Sequence, residues 1–595
     1  MKRIKEEQKE ISEKLNKKPK HKFKRIIFLL IIISIVILAI FTACKAYKWQ
    51  NMAIDIISNT PSTVLDSDNN VIAELGKERK QSNISYSEMP KNLVNAYVSI
   101  EDQRFYNHFG IDIKRTSAAI FSYIFKGNSS FGGSSITQQL VKNITNDNSS
   151  SVTRKISEWI RAVELEAVLS KEEILEAYLN IIYVGPNIYG VNNGAKYYFD
   201  KDISELTLTQ CAFLAGLNHS PNSYNPFGEN DNSEKIFKRT KTVLTKMLEL
   251  GYISDTEHTK ALKELDESGL SFKKGTISTS ESSGIYNYHT DALISEIIKD
   301  ISEEKDISLN FATNYINMAG LKIYSTQNTN IQTEIEKEFN KNKYIIKSKN
   351  DTNAISQAAM VVIDHKNGYV LGCVGGLGEK TISRGFNRAT QAVRQTGSAS
   401  KPLAVLLPAL DTKTITSITM LNDTLTTFDD GTEEGYTPIN YNNYLGNITV
   451  RRAVESSQNI PFVRIMEVIT PSTSISYLKK MGVTSLTDVD NNINLALGGL
   501  DKGISPLEMA GAYATISNNG VYIEPTFYTK IENKNNKTIL RKKQESRKVV
   551  SEQVSYILKN LLTEPVKRKK WNCNILWYKK HWCSSKNRNY KWKFW

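Results

Sequence analysis

The sequence predicts a multi-domain protein with a single N-terminal transmembrane helix, a mainly α domain and then an α+β domain that is incomplete toward its C-terminal side. Three observations carry this. Ile26 to Cys44 is a run of 19 uncharged residues rich in Ile and Leu. From Leu93 to about Leu250 apolar-periodic stretches alternate with Gly/Asn/Ser-rich joints, and from about Gly320 short strand-like runs take over. A length of 595 residues exceeds one core, and 40% hydrophobic with 23% charged residues excludes a mostly disordered or fibrous chain.

The net charge of +15 is unevenly placed. Residues 1–25 carry +7 and residues 567–595 carry +10, which leaves 26–566 at −2. A near-neutral body with two basic ends is no duplex-binding surface, so nucleic acid is not an expected partner. The five cysteines form no CxxC pair and the seven histidines no metal-ligand spacing near them, so neither a disulfide framework nor a structural metal site is expected.

At about 1.5 Å per residue the run 26–44 crosses a hydrocarbon core of about 30 Å. The basic tail 1–25 precedes it, which puts the N-terminus in the cytoplasm and the remaining domains outside the cell, in a single-pass cell-membrane protein. Thr42-Ala43-Cys44 fits a cleavage or lipoprotein signal poorly, so an uncleaved anchor is expected.

Beyond the membrane, Ser170-Lys171-Glu172-Glu173 has capping-box spacing and predicts a helix from Lys171, with Ile174, Leu175, Tyr178, Leu179 and Ile182 on one face. Upstream, Ile156, Trp159, Ile160, Val163 and Ala167 form a second apolar stripe, expected to pack against it. Residues 265–310 read as part of a connection. Leu321-Lys-Ile-Tyr-Ser-Thr, Ala358-Ala-Met-Val-Val-Ile-Asp and Tyr369-Val-Leu read as strands. The expected boundaries are 60–235 for the first extracellular domain, 236–319 for a linker region, 320–566 for the second domain and 567–595 for an aberrant tail.

Chemistry-bearing residues cluster first in Glu101-Asp102-Gln103-Arg104-Phe105-Tyr106-Asn107-His108-Phe109-Gly110. They continue in Gly132-Gly133-Ser134-Ser135-Ile136-Thr137-Gln138-Gln139-Leu140-Val141-Lys142-Asn143 and Arg154-Lys155-Ile156-Ser157-Glu158. Singly, each has an ordinary structural explanation: an i,i+4 pair, a hydrogen-bonded histidine, a glycine turn. Together with Lys171 to Gly190 and Leu206 to Pro226, the ordered motifs resemble the peptidoglycan glycosyltransferase domain of class A penicillin-binding proteins. Ser135 replaces a usual Thr, and Asn192-Asn193-Gly194 replaces small apolar residues.

The resemblance implies a lysozyme-like, mainly α glycosyltransferase domain that polymerises lipid II by inverting transfer. A sugar hydroxyl is deprotonated as it attacks an anomeric carbon bearing a lipid pyrophosphate, which needs a base on one side and cations on the other. It implies Glu101 as base and Glu158 as second carboxylate. Asp102, His108, Gln138, Lys142, Arg154 and Lys155 are the implied substrate-binding residues, with Arg and Lys neutralising pyrophosphate. No cofactor is required by this reading; a divalent cation at the pyrophosphate is the one candidate. Between the first two motifs, Ala118-Ala-Ile-Phe-Ser-Tyr-Ile-Phe reads by composition as core, whereas polyprenyl substrates favour membrane contact by Phe121, Ile124 and Phe125.

The second constellation is Ser398-Ala399-Ser400-Lys401, with Ser457-Gln458-Asn459 56 residues after Lys401. An S-x-x-K tetrad at a helix start puts hydroxyl and amine on one face. With Leu495-Ala-Leu-Gly-Gly-Leu and Gly503-Ile-Ser-Pro-Leu-Glu-Met-Ala, this order resembles the penicillin-binding transpeptidase domain, for which S-x-x-K is a known signature. The resemblance implies that Ser398 attacks a D-Ala-D-Ala carbonyl and that Lys401 is its base. Ser457 and Asn459 would move protons and hold the peptide, and β-lactams would acylate Ser398.

The family's next motif, Lys-Thr-Gly, is absent. Residues 571–595 instead hold five of the seven tryptophans and two of the five cysteines. Such a tail is either a basic membrane-surface or glycan-binding appendage or text in the wrong reading frame. Trp582 to Lys591, written as codons and read one base later, permits Gly-Val-Ala-Ala-Lys-Thr-Gly-Thr-Thr, so a frameshift near Val566 to Lys570 is expected, real or a sequencing error. The expectation is a membrane-anchored peptidoglycan synthase with its transpeptidase compromised. Its partners are lipid II, nascent glycan strands, the membrane and other cell-wall synthesis proteins. The competing readings are a glycosyltransferase with a vestigial penicillin-binding domain and a non-catalytic envelope scaffold.

Overall fold

The computed structural model describes residues 46–77, 82–118, 133–149, 151–186, 188–228, 230–276, 285–347 and 355–567, together with Leu30. The predicted span 26–44, Leu30 apart, lies outside the described residues, as do Phe121, Ile124 and Phe125 and the tail from 568. Among the described residues no helix is long and apolar enough to cross a membrane.

The described residues fall into two compact units, one within 46–60, 77–276 and 313–319 and the other within 61–76, 285–312 and 320–567. These bounds differ from those read in the sequence. Residues 61–76 join the second unit because their strands pair with one more than 250 residues downstream. The segment 236–319, read as linker, is largely helical, with Tyr288–Lys305 burying its apolar residues in the second unit.

The first unit is built on α1 (Lys91–Glu101), α2 (Ile136–Thr145), α3 (Val152–Glu166), α4 (Lys171–Ile181), α5 (Leu208–Leu217) and α6 (Ser233–Glu249). Helix α5 is buried at every position from Thr209 to Leu217. It is therefore the core helix, apolar all round, and α1 and α6 pack on it. The predicted capping box starts α4: Ser170 Oγ accepts from Glu173 N–H and Glu173 accepts from Ser170 N–H. The same device starts α2 with Ser135 and Gln138, and α5 with Thr207 and Gln210.

Helix α3 departs from the expected packing. Ile156, Ile160 and Val163 are 46%, 55% and 36% exposed, whereas Glu158, Ala162 and Leu165 are buried. The helix presents its apolar stripe outward and packs its other face on α2. Side chains from the neighbouring elements hold that inward face: Thr137 Oγ1 and Lys171 Nζ donate to Glu166 Oε1 at 2.6 and 2.7 Å, and Lys155 Nζ donates to Ser134 Oγ at 2.6 Å.

The second unit contains β1 (Ser62–Leu65), β2 (Val71–Leu75), β3 (Lys322–Ser325), β4 (Met360–Asp364), β5 (Tyr369–Val374), β6 (Tyr528–Glu532) and β7 (Thr538–Arg541). One sheet has the order β7-β6-β3-β1-β2, antiparallel except for the β1–β3 pair, where Val64 faces Ile323. The runs predicted as strands at 321–326, 358–364 and 369–371 are β3, β4 and β5. Strands β4 and β5 form a separate antiparallel hairpin, Val361 opposite Cys373. Its turn needs Gly368 at φ 73°, where a Cβ would lie 2.7 Å from the Glu524 carbonyl oxygen.

Although Met360-Val-Val-Ile is a continuous apolar run, all five β4 residues are half-buried. Such runs normally mark strands covered on both faces and edges. Among the described residues β4 pairs with β5 alone and no strand follows Ser546–Lys548. The core of this unit is the apolar cluster of Leu403 to Leu410 with Val450, Ile460, Val463, Met466, Leu495, Ala512 and Leu558.

Candidate active sites

Glu101 is the last residue of α1, and a ring of side chains from three other places in the first unit holds its carboxylate. Gln139 Nε2, on α2, donates to Oε2 at 2.9 Å. Asn218 Nδ2, directly after α5, donates to Oε1 at 3.1 Å. Tyr178, on α4, closes the ring: its hydroxyl donates to Gln139 Oε1 at 3.0 Å and accepts from Asn218 Nδ2 at 2.9 Å. Burial, then the neighbouring Glu101 charge, pushes the Tyr178 hydroxyl well above the usual tyrosine range, so it keeps its proton. Arg115 Nη1 donates to the Glu101 carbonyl oxygen at 2.5 Å.

Asp102, His108 and Gln138, expected from the sequence to touch substrate, have buried side chains that are engaged within the protein. Asp102 Oδ2 accepts from the backbone N–H of Ile136 at 3.0 Å and from His108 Nε2 at 2.9 Å. His108 Nδ1 accepts from Gly110 N–H at 3.1 Å, which makes Nε2 the donor. Asp102 thus ties the residue after the Glu101 carboxylate to the first turn of α2. Gln138 is spent on the capping box of α2, its Oε1 accepting from Ser135 N–H at 2.8 Å. It is the adjacent Gln139 that faces Glu101.

Glu158 is 4% exposed and sits between two cations. Arg154 Nη1 donates to Oε2 at 2.6 Å, and Lys155 Nζ pairs with Oε1 and also donates to Ser134 Oγ at 2.6 Å. Lys142 stands three residues beyond Gln139 on α2, hence on the same face, exposed and without an ion pair among the described residues. Glu101 thus meets α2 at Gln139, and the Glu158, Arg154 and Lys155 cluster meets the segment just before α2 at Ser134.

In the second unit the centre is Lys401, 3% exposed. Its Nζ donates to Asn459 Oδ1 at 2.7 Å, to the carbonyl oxygens of Ser457 and Gln458 at 2.9 and 3.1 Å, and approaches Ser457 Oγ at 3.3 Å. Burial lowers its pKa from 10.5 to about 8. Ser457 occupies the left-handed region, φ 51°, at the end of the helix Val450–Ser456, a conformation that costs a non-glycine residue on the order of 1 kcal/mol and here turns its oxygens onto the lysine. Asn459 is fixed in turn: its N–H donates to Asn440 Oδ1 at 2.7 Å and its Nδ2 to the Ile439 carbonyl at 2.6 Å.

Ser398 lies in the short 3₁₀ turn Gly397–Ser400, exposed, immediately before the π-helical stretch Lys401–Leu406. No hydrogen bond joins its hydroxyl to Lys401 among the described residues. Lys401, Ser457 and Asn459 are assembled; Ser398 stands at the helix start as the tetrad predicts, without that last contact.

Sequence reading missed Gln139, Tyr178, Asn218 and Arg115 at the first site. One signal was available: Ser135-x-x-Gln138 is a capping box, which commits Gln138 and leaves Gln139 to face the site.

The two polar constellations lie one in each of the two units. Residues 68–248 match the Transglycosylase family and residues 358–575 the Penicillin binding protein transpeptidase domain. The chain is 35% identical to "Penicillin-binding protein 1A" of Clostridium botulinum over 89% of this chain and 65% of that protein. To the protein of the same name from Clostridium tetani it is 35% identical over 93% of this chain and 73% of that one. It is also similar to the crystal structure of Penicillin-Binding Protein 1A from Haemophilus influenzae, with 20% identity, 87% and 81% coverage and a TM-score of 0.48. The chain belongs to the class A penicillin-binding protein family, and it spans 65% of the length of the Clostridium botulinum relative.

Proposed function

We propose that the chain polymerises lipid II into glycan strands by inverting glycosyl transfer at the first site. The carrying observation is the Glu101 carboxylate, held by two amide donors, one of them Gln139, three residues before the exposed Lys142 on the same helix. Glu101 removes the proton from the sugar hydroxyl as that oxygen attacks the anomeric carbon, and the lipid pyrophosphate departs. General-base assistance of this kind is worth roughly 10²–10⁴ in rate. Lys142, exposed on the Gln139 face, meets the developing charge as a point cation, and Arg154 and Lys155 are held ready by Glu158. These residues neutralise pyrophosphate with side-chain cations.

The reading includes a bilayer anchor at 26–44, N-terminus inside, with catalysis outside. Its support is the length of the apolar run, its basic flank, and the outward apolar row Val152, Ile156 and Ile160 on α3. Contact by Phe121, Ile124 and Phe125 belongs to the same proposal. Polymerisation of lipid II by the purified chain, lost in Glu101→Gln, tests the central step.

At the second site Ser398 would attack a D-Ala-D-Ala carbonyl or a β-lactam with Lys401 as base, and Ser457 and Asn459 holding that lysine. A second reading, a transpeptidase crippled in this chain, is favoured by the half-buried β4 and the missing Lys-Thr-Gly. That motif's strand supplies an oxyanion donor in the family, and one such donor is worth roughly 10²–10³ in rate. A frame change near Val566 to Lys570 accounts for it.

A further inference from the structure

We propose that Asn218 is a positioning residue for the Glu101 carboxylate, acting directly and through Tyr178 and Gln139; this rests on the reading of Glu101 as base. The argument is a proton inventory. Asn218 has two amide hydrogens, and the two contacts of its Nδ2 are Glu101 Oε1 and Tyr178 Oη. The single Tyr178 hydroxyl hydrogen goes to Gln139 Oε1. Gln139 Nε2 then donates to Glu101 Oε2. Four hydrogens, two from Asn218 and one each from Tyr178 and Gln139, are each used once, in one direction, around a ring of four side chains.

No other orientation closes the ring. Turning the Asn218 amide over would set its carbonyl oxygen against both the carboxylate and an oxygen that already accepts nothing else. Turning Gln139 would set oxygen against the carboxylate and strand the Tyr178 hydrogen. The carboxylate therefore meets a donor on each oxygen, while each oxygen keeps lone-pair capacity for an incoming hydroxyl.

The placement adds rigidity. The four members come from α1, α2, α4 and the residue after α5, so the ring pins the end of α1 to three other helices. Asn218 follows Leu217, the last residue of a helix buried from Thr209 onward, and a group carried on so fixed an element is held closely. Tyr178 is fully buried and stays protonated, so the relay to Gln139 persists.

The test measures glycan formation from lipid II by the full chain in vesicles, with kcat and KM separated and melting recorded for each variant. Asn218→Ala and Tyr178→Phe are each expected to lower kcat about tenfold or more, with KM within about twofold, since a reacting group displaced by about 1 Å loses roughly 10² in rate. The double variant loses less than the product of the two, because the ring acts as a unit. Asn218→Asp has the same shape but donates nothing and adds a like charge, so it falls further than Asn218→Ala; a merely structural role would rank them in the opposite order.

Asn218→Asp retaining kcat within about twofold of wild type, or losses that follow KM or melting temperature instead of kcat, overturns the inference. A wild-type chain that makes no strand, or a Glu101→Gln chain that still does, overturns the functional reading and this inference with it. An active chain silenced by Glu101→Gln yet indifferent to Asn218→Asp overturns the inference alone.

Discussion

Lys401 Nζ lies 2.7 Å from Asn459 Oδ1, at the centre of four oxygens that all come from residues 457–459. The amine is held away from solvent by the Ser-x-Asn turn while burial brings its pKa down to about 8. One tripeptide thus both orients the lysine and sits where its proton must go.

Acylation of Ser398 by a fluorescent penicillin should therefore rise with pH through about 8, by about tenfold from pH 7 to pH 9, as the neutral amine becomes available. Lys401→Met should abolish the rise. Stability carries the same sign. Between pH 8 and about 10.5 the unfolded chain keeps a proton that the fold has released, so stability relative to Lys401→Met increases with pH across that window. Denaturant midpoints of the two proteins, measured side by side, check it.

Asp102→Ala should destabilise the first unit by about 2 kcal/mol, because it orphans the buried Ile136 N–H and His108 Nε2. A substrate contact would instead leave melting unchanged and raise KM. Thermal unfolding and steady-state kinetics separate the two outcomes.

Glu158 and Lys142 should behave oppositely. Glu158→Ala leaves the partly exposed Arg154 and Lys155 without their carboxylate and should cost about 1 kcal/mol. Lys142→Ala, at an exposed site, should change stability by no more than about 0.5 kcal/mol yet reduce glycan formation about tenfold or more. Calorimetry and a lipid II assay on both variants give the contrast.

The DNA downstream of residue 566 should contain Lys-Thr-Gly in the next frame. A protein translated in that frame should acylate with penicillin roughly 10²–10³ faster than the present chain. A shifted frame without the motif removes the proposal.

Much of this was legible because local chemistry was honest. Ser170-x-x-Glu173 starts a helix wherever it is followed by a helical stripe, and Gly368 marks the β4–β5 turn. The α3 stripe misled because periodicity reports that a helix is two-sided, not which side faces in; the inward face is the one that Thr137, Lys171 and Ser134 hold through Glu166 and Lys155. The ring around Glu101 was illegible for a different reason. Its members are separated by up to 117 residues, and no spacing rule connects Gln139 or Asn218 to a glutamate on another helix. The placement of residues 61–76 in the second unit was hidden likewise, since strand pairing across the chain leaves no local mark.

The most direct measurement is the product of the purified full-length chain in bilayers supplied with lipid II, compared with Glu101→Gln. The account predicts glycan strands from the first and a loss of at least about 10² in rate from the second. Strands of equal yield from both, or none from the wild-type chain, would contradict it.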